Sequence, residues 1–256
     1  AEICAEIGRG SCSLMESRSR PHASLHRIDS HRTRGLIDHR YILKTIERHE
    51  QRQLLAMLPQ YYDHLRAHPR SLLCRYYGCY ALTMHSQCRY FVVMESLFFN
   101  SESIHEKYDL KGSWVDRRRH VGATYLDLDM RRKLLLPTRV GAELLRQCTL
   151  DVALLRGLNI MDYSLLLGVH VAADGVHVAS KPLDGPFAFT SLANDAVYYI
   201  CVIDLLQPWD MSKRLERLFK VLLRCRCRSA SGMSAIEPTR YADRFVSMVE
   251  RILNYA

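Results

Sequence analysis

Apolar and polar residues alternate over residues 41–46, with Tyr41, Leu43 and Thr45 on one side and Ile42, Lys44 and Ile46 on the other. Period two predicts a strand, and it puts Lys44 on a face it shares with two isoleucines. A cation in that setting needs an anionic partner. The period then lengthens: Leu54, Leu55 and Leu58 gather on one side of a helix predicted over 47–58 and closed by Pro59, with Glu50 able to face back toward Lys44. Strand-like runs follow at 72–82 and 89–98, the second ending in the polar turn Asn100-Ser-Glu-Ser, which reads as a small sheet followed by a hinge. Over 139–158 the residues Leu144, Leu145, Cys148, Val152 and Leu155 form a helical stripe that ends near Gly157 and delivers the chain to Asp162. Residues 169–180 are apolar with a short period, 182–194 read as a loop insertion, and 197–203 read as a strand ending at Asp204. Residues 1–40 are rich in Arg, Ser and His without sustained periodicity and predict a poorly ordered or incomplete start.

The pattern leaves one segment whose character depends on charge. Over 211–228, Leu215, Leu218, Phe219, Leu222 and Leu223 make a helical apolar stripe, while seven Lys and Arg between Lys213 and Arg228 crowd the remainder and Glu216 is the only acid. A basic amphipathic helix of this kind suits an anionic membrane surface. The whole chain, at 256 residues, carries a net charge of +9, so an acidic partner is expected. Nucleic acid is the weaker choice, because aromatic residues do not interleave with the basic cluster and Phe219 alone is a poor stacking platform. No apolar run reaches the roughly 20 residues that span a bilayer, so membrane contact is expected to be peripheral. Nine cysteines, an odd number, with no basic-then-apolar leader at Ala1, predict a reduced cytosolic setting rather than a disulfide framework. Cys225 and Cys227 lack partners at zinc-ligand spacing.

Three short strings place an Asp beside strand-like apolar residues: KYDLKGS at 107–113, MDYSLLL at 161–167 and CVIDLLQ at 201–207. Phosphoryl transfer needs a cation on the nucleotide phosphates, carboxylates to hold Mg²⁺ and a carboxylate near the attacking hydroxyl. Lys44, Asp204 and Asp162 are the candidates in that order, with Asp162 a possible second metal ligand. Taken alone, an Asp at a helix-to-strand junction is more often a cap or turn residue. Order and context together point to the chemistry.

With the Lys44 strand upstream, these strings resemble the phosphatidylinositol phosphate kinase family over about residues 41–256. SWVDR at 113–117 and SAIEPTRYADRF at 234–245 extend the resemblance. It implies an α+β, two-lobed lipid-kinase fold distantly like protein kinases: a small lobe over 41–100 with an antiparallel sheet, and a mixed large lobe over 101–256 whose activation loop lies at about 205–236. It further implies that ATP with Mg²⁺ is used to convert phosphatidylinositol 4-phosphate into the 4,5-bisphosphate on the cytosolic face of the plasma membrane. Asp109, Lys111 and Arg117 would line the site near the phosphates, and Arg244 would sit where a lipid phosphate approaches. Lys213, Arg214 and Glu216 would contact the lipid, with Glu216 at the acidic position of members that act on the 4-phosphate. As a bare residue, Glu216 is an i,i+4 partner for Lys220.

Two departures carry weight. Five residues after Asp162, where a protein kinase has a metal-binding Asn, lies Leu167, which disfavours an ordinary protein kinase. The family's glycine-rich nucleotide turn has no counterpart over 17–34, and Gly8-Arg-Gly10-Ser11 is the nearest candidate. Backbone amides of such a turn cradle phosphates. The alternative is therefore a non-catalytic phosphoinositide-binding module that has lost this loop. Oligomeric state is left open by the sequence.

Overall fold

The computed structural model describes residues 33–35, 40–84, 87–99, 101–115, 117–118, 124–172, 187–210 and 236–255. The chain divides into two compact units, one of residues 1–52 and 75–99, the other of 53–74 and 100–256. Residues 53–74 belong with the larger unit, and the first unit ends at Phe99.

The first unit is built on β1 (Thr33–Gly35), β2 (Tyr41–Ile46), β3 (Tyr76–Met84) and β4 (Gln87–Glu95), in the antiparallel order β1-β2-β4-β3. The strand predicted at 41–46 is β2. Its register sets Lys44 between Thr33 and Val92, and Val92 is fully buried. The expected strands at 72–82 and 89–98 are β3 and β4, each shifted by a few residues.

Helix α1 (Arg48–Ala67) runs on past Pro59, correcting the expectation that the proline closes it. Proline removes one backbone hydrogen bond inside a helix. Here Leu54, Met57 and Tyr61, spaced i, i+3 and i+7, form a buried stripe that continues through it, and Tyr61 donates its hydroxyl to the Cys74 carbonyl at 2.7 Å. Leu55, assigned to the apolar side, is exposed.

The second unit centres on a five-stranded mixed sheet in the order β6-β5-β8-β10-β9. Its members are β5 (Glu106–Leu110), β6 (Thr124–Tyr125), β8 (Ser164–Val171), β9 (Ala188–Thr190) and β10 (Ala196–Ile203). Neighbours are antiparallel except β5 and β6, which run parallel. β10 is buried over seven of its eight residues, as a central strand covered on both faces should be. β9 falls inside the stretch read as loop, because three half-buried residues pairing along β10 are too short to leave a periodic signal.

A 3₁₀ turn (Asp127–Asp129) leads to β7 (Leu134–Leu136), which pairs in parallel with β11 (Leu253–Tyr255). Helix α2 (Thr138–Gly157) buries Leu144, Cys148, Val152 and Leu155, the stripe read from its period, and α3 (Pro238–Ile252) packs beside it through Tyr241, Phe245 and Val249. Pro238 opens α3 in its first turn, where a missing N–H costs nothing. Among the described residues no helix is long and apolar enough to cross a membrane. The basic segment 211–228, with Lys213, Arg214 and Glu216, lies outside them, as do Gly8, Gly10 and Ser11.

Candidate active site

In the second unit, strands β8 and β10 bring two aspartates to the same end of the sheet. Their register ends at Ser164 opposite Ile203. Asp162 lies two residues before that pair and Asp204 one residue after it, so the two strings found in the sequence meet at one end of the sheet. Pairing resumes beyond them: Met161 N–H donates to Gln207 O at 3.0 Å, Trp209 N–H to Asn159 O at 2.9 Å, and Ile160 and Pro208 form an antiparallel bridge. The aspartates therefore occupy a short gap in an otherwise continuous ladder. Both have left-handed backbones, φ 64° at Asp162 and 63° at Asp204, with Asn159 at 58°. Asp and Asn tolerate that region better than other residues with a Cβ.

The β5 end supplies cations. Lys111 Nζ donates to Asp162 Oδ1 at 2.7 Å, and the other carboxylate oxygen carries no hydrogen bond among the described residues. The Lys111 side chain is 15% exposed and that of Asp162 is 29% exposed, so the lysine is shielded while the carboxylate can be reached. Arg117 donates to Asp109 Oδ1 at 2.9 Å and to Asp127 Oδ2 at 2.7 Å. Burial opposes its charge, but the two carboxylates outweigh that and hold the guanidinium above its usual pKa.

Asp127, which sequence reasoning missed, is the hub of this end. It accepts the backbone N–H groups of Lys111 at 2.9 Å and Gly112 at 2.7 Å as well as the Arg117 bond. The one available signal was the acidic Asp-Leu-Asp at 127–129 following a run of arginines.

Helix α3 backs the same turn. Arg244 donates to Ser113 Oγ at 2.9 Å and lies over the Tyr241 ring at 5.0 Å. Burial lowers its pKa, opposed by Tyr241, Asp127 and Asp162. Tyr241, also missed, donates its hydroxyl to the carbonyl of Tyr163, the residue after Asp162. Burial raises the pKa of both tyrosines, which keeps both hydroxyls neutral.

Gly112 has φ 66°, and a Cβ there would stand 3.1 Å from the Arg244 carbonyl and 3.2 Å from Met248 Cβ. Gly112→Ala is therefore expected to lower unfolding free energy by about 2 kcal/mol, read as a shifted urea midpoint at unchanged slope. An unshifted midpoint would show that α3 yields without cost.

The structure thus brings together Asp109, Lys111, Arg117, Asp162, Asp204 and Arg244 within the second unit. Lys44 and Glu50 belong to the first unit, where Lys44 is half-buried on β2 and Glu50 accepts the Glu47 N–H at 2.7 Å. No cluster of three or more His, Cys, Asp or Glu able to hold a metal occurs among the described residues. Two carboxylates fit Mg²⁺ nonetheless, since that ion is commonly held by one or two carboxylates together with substrate phosphates.

Comparison with known proteins gives the same direction. A family described as phosphatidylinositol-4-phosphate 5-kinase matches residues 36–191 and 186–252. The chain is 34% identical over 248 residues to the human phosphatidylinositol 4-phosphate 5-kinase-like protein 1, covering 83% of this chain and 62% of that protein. The mouse protein of the same name is 32% identical over 250 residues, with the same two coverages. Phosphatidylinositol 4-phosphate 5-kinase 6 of Arabidopsis thaliana is 28% identical over 278 residues, covering 84% of this chain and 38% of that protein. The chain spans about six tenths of the length of the human and mouse relatives.

Proposed function

We propose, from the premise that this chain belongs to the phosphatidylinositol phosphate kinase family, that it transfers the γ-phosphoryl group of ATP to phosphatidylinositol 4-phosphate, giving the 4,5-bisphosphate. The observation that carries the reading is the meeting of Asp162 and Asp204 at one end of the β8–β10 pair, with Lys111 bonded to the first. A two-lobed kinase arrangement, in which Lys44 on β2 serves the nucleotide phosphates and Glu50 supports it, belongs to this proposal.

In the proposed reaction Asp162 orients the inositol hydroxyl and accepts its proton through the carboxylate oxygen that Lys111 leaves unbonded. Lys111 keeps that carboxylate aimed. Asp204, with Asp162, would hold Mg²⁺, which when bound supplies charge neutralisation on the phosphates. Arg117, locked between Asp109 and Asp127, keeps fixed positive charge beside the turn that presents Lys111. Arg244, braced on Ser113, would stand behind the lipid phosphate. Fixed groups of this kind need no rearrangement as charge develops, which is where such a site gains its rate.

The basic segment 211–228 is proposed to carry the chain to anionic membranes on the cytosolic face, with Lys213 and Arg214 contacting lipid and Glu216 selecting the isomer. Gly8, Gly10 and Ser11 are proposed to serve the nucleotide.

The test is lipid-dependent ATP turnover with the phosphatidylinositol monophosphate isomers presented separately. The 4-phosphate should be preferred, and Glu216→Ala should shift preference toward the 5-phosphate isomer. ATP binding without turnover on any isomer would overturn the catalytic reading. Phosphoinositide binding without nucleotide binding would favour instead the binding module that the missing glycine turn suggests.

A further inference from the structure

Side chains alternate along β5, so Glu106, Tyr108 and Leu110 point to one face while Lys107 and Asp109 point to the other, the face that continues to Lys111. The candidate active site uses the second face. On the first, against the edge strand β6, lies an open groove of about 820 Å³. Tyr108 and Tyr125, opposite each other in the β5–β6 register, line it with rings 5.2 Å apart.

Its charge is unbalanced in a specific way. Arg132 is committed: its guanidinium forks onto both carboxylate oxygens of Glu106, which also accepts the Tyr108 hydroxyl at 2.6 Å. Arg132 depresses the pKa of Glu106, so that acid stays ionised and neutralises its partner. Asp129, the other acid of the groove, accepts the Leu126 N–H at 3.1 Å. Arg118 and Arg131 line the groove, are exposed and carry no ion pair among the described residues. Two guanidinium groups over a groove walled by aromatic rings match a ligand with several anionic oxygens on a compact body that can lie against the rings.

We propose that this groove is a second anion site, separate from the catalytic one, that takes a small phosphate-bearing group through Arg118 and Arg131. The same chemistry is offered by a soluble phosphate and by the headgroup of a lipid phosphomonoester. Arg118 follows Arg117, whose carbonyl accepts the Leu128 N–H at 2.9 Å, so an occupant touches the same turn that braces Lys111 through Asp127.

The test compares the full chain with the double variant R118Q/R131Q in two arms: calorimetric titration with inorganic pyrophosphate, and sedimentation with phosphatidylcholine vesicles containing phosphatidic acid against vesicles matched in charge with phosphatidylserine. Both arginines are exposed, so the variant should keep the wild-type melting temperature. Loss of about tenfold or more in pyrophosphate affinity identifies a soluble ligand, and selective loss of binding to phosphatidic acid vesicles identifies a lipid headgroup. Lys111→Met should leave whichever component is found. No wild-type binding in either arm, equal binding by wild type and variant in both, or disappearance of the component in Lys111→Met overturns the proposal. Since none of these readings requires turnover, failure here is distinct from failure of the kinase reading.

Discussion

Asp162→Asn is expected to lower lipid phosphorylation by about two orders of magnitude while ATP still binds, because in the proposed reaction the substitution removes the proton acceptor and little else. Asn has nearly the same shape and tolerates the left-handed backbone that this position imposes, so the β8–β10 gap should keep its form. Its amide oxygen can still accept from Lys111, although the negative charge opposite the lysine is gone. Lys44→Met offers the contrast: it should weaken the nucleotide step. The measurement is kcat on phosphatidylinositol 4-phosphate beside the Kd for ATP from titration calorimetry. Near-normal turnover in Asp162→Asn would mean that this carboxylate has been given the wrong role.

Asp151→Leu should be the most damaging single change to stability, at about 3–5 kcal/mol. Asp151 is fully buried on α2, yet its carboxylate is fully employed: His64 Nε2 of α1 donates at 2.6 Å, Leu72 N–H at 2.7 Å and Gln147 Nε2 at 2.9 Å. Leucine is larger than aspartate, accepts no hydrogen bond and strands three donors. The consequence reaches the sheet, because the Leu72 carbonyl accepts the Val202 N–H at 2.7 Å and Cys74 donates to Val202 O at 2.9 Å, next to the end of β10 that carries Asp204. Urea denaturation followed by circular dichroism should show a midpoint lowered at unchanged slope. A midpoint equal to wild type would mean the three donors find other acceptors and the cluster is dispensable.

The strand carrying Lys44, the stripe of α2 and the strand ending at Asp204 were legible because each has a clean period and a long enough run. Pro59 misled because a local rule about helix breaking lost to a buried stripe that only the folded chain reveals. Asp162, Asp204, Lys111, Asp109 and Arg117 were legible as a set through their strings, and their resemblance to a family supplied roles that spacing alone does not. Asp127 and Tyr241 were not legible. Each acts through a backbone partner, Asp127 on the N–H groups of Lys111 and Gly112 and Tyr241 on the Tyr163 carbonyl, and backbone atoms have no letter in a sequence. Asp151 was hidden for a related reason: it sits within an apolar stripe, and two of its three donors, His64 and the Leu72 N–H, lie far from it along the chain.

The gap that holds Asp162 and Asp204 is bounded on one side by the Ser164–Ile203 pair and on the other by the bonds of Met161 and Trp209. Such a loop, stapled at both ends, resembles an eyelet more than a hinge. The flanking pairs fix the backbone of both aspartates in advance, so little backbone entropy remains to be lost when a cation binds there. A one-residue slip of β10 against β8 would offset the two aspartates from each other without altering either residue.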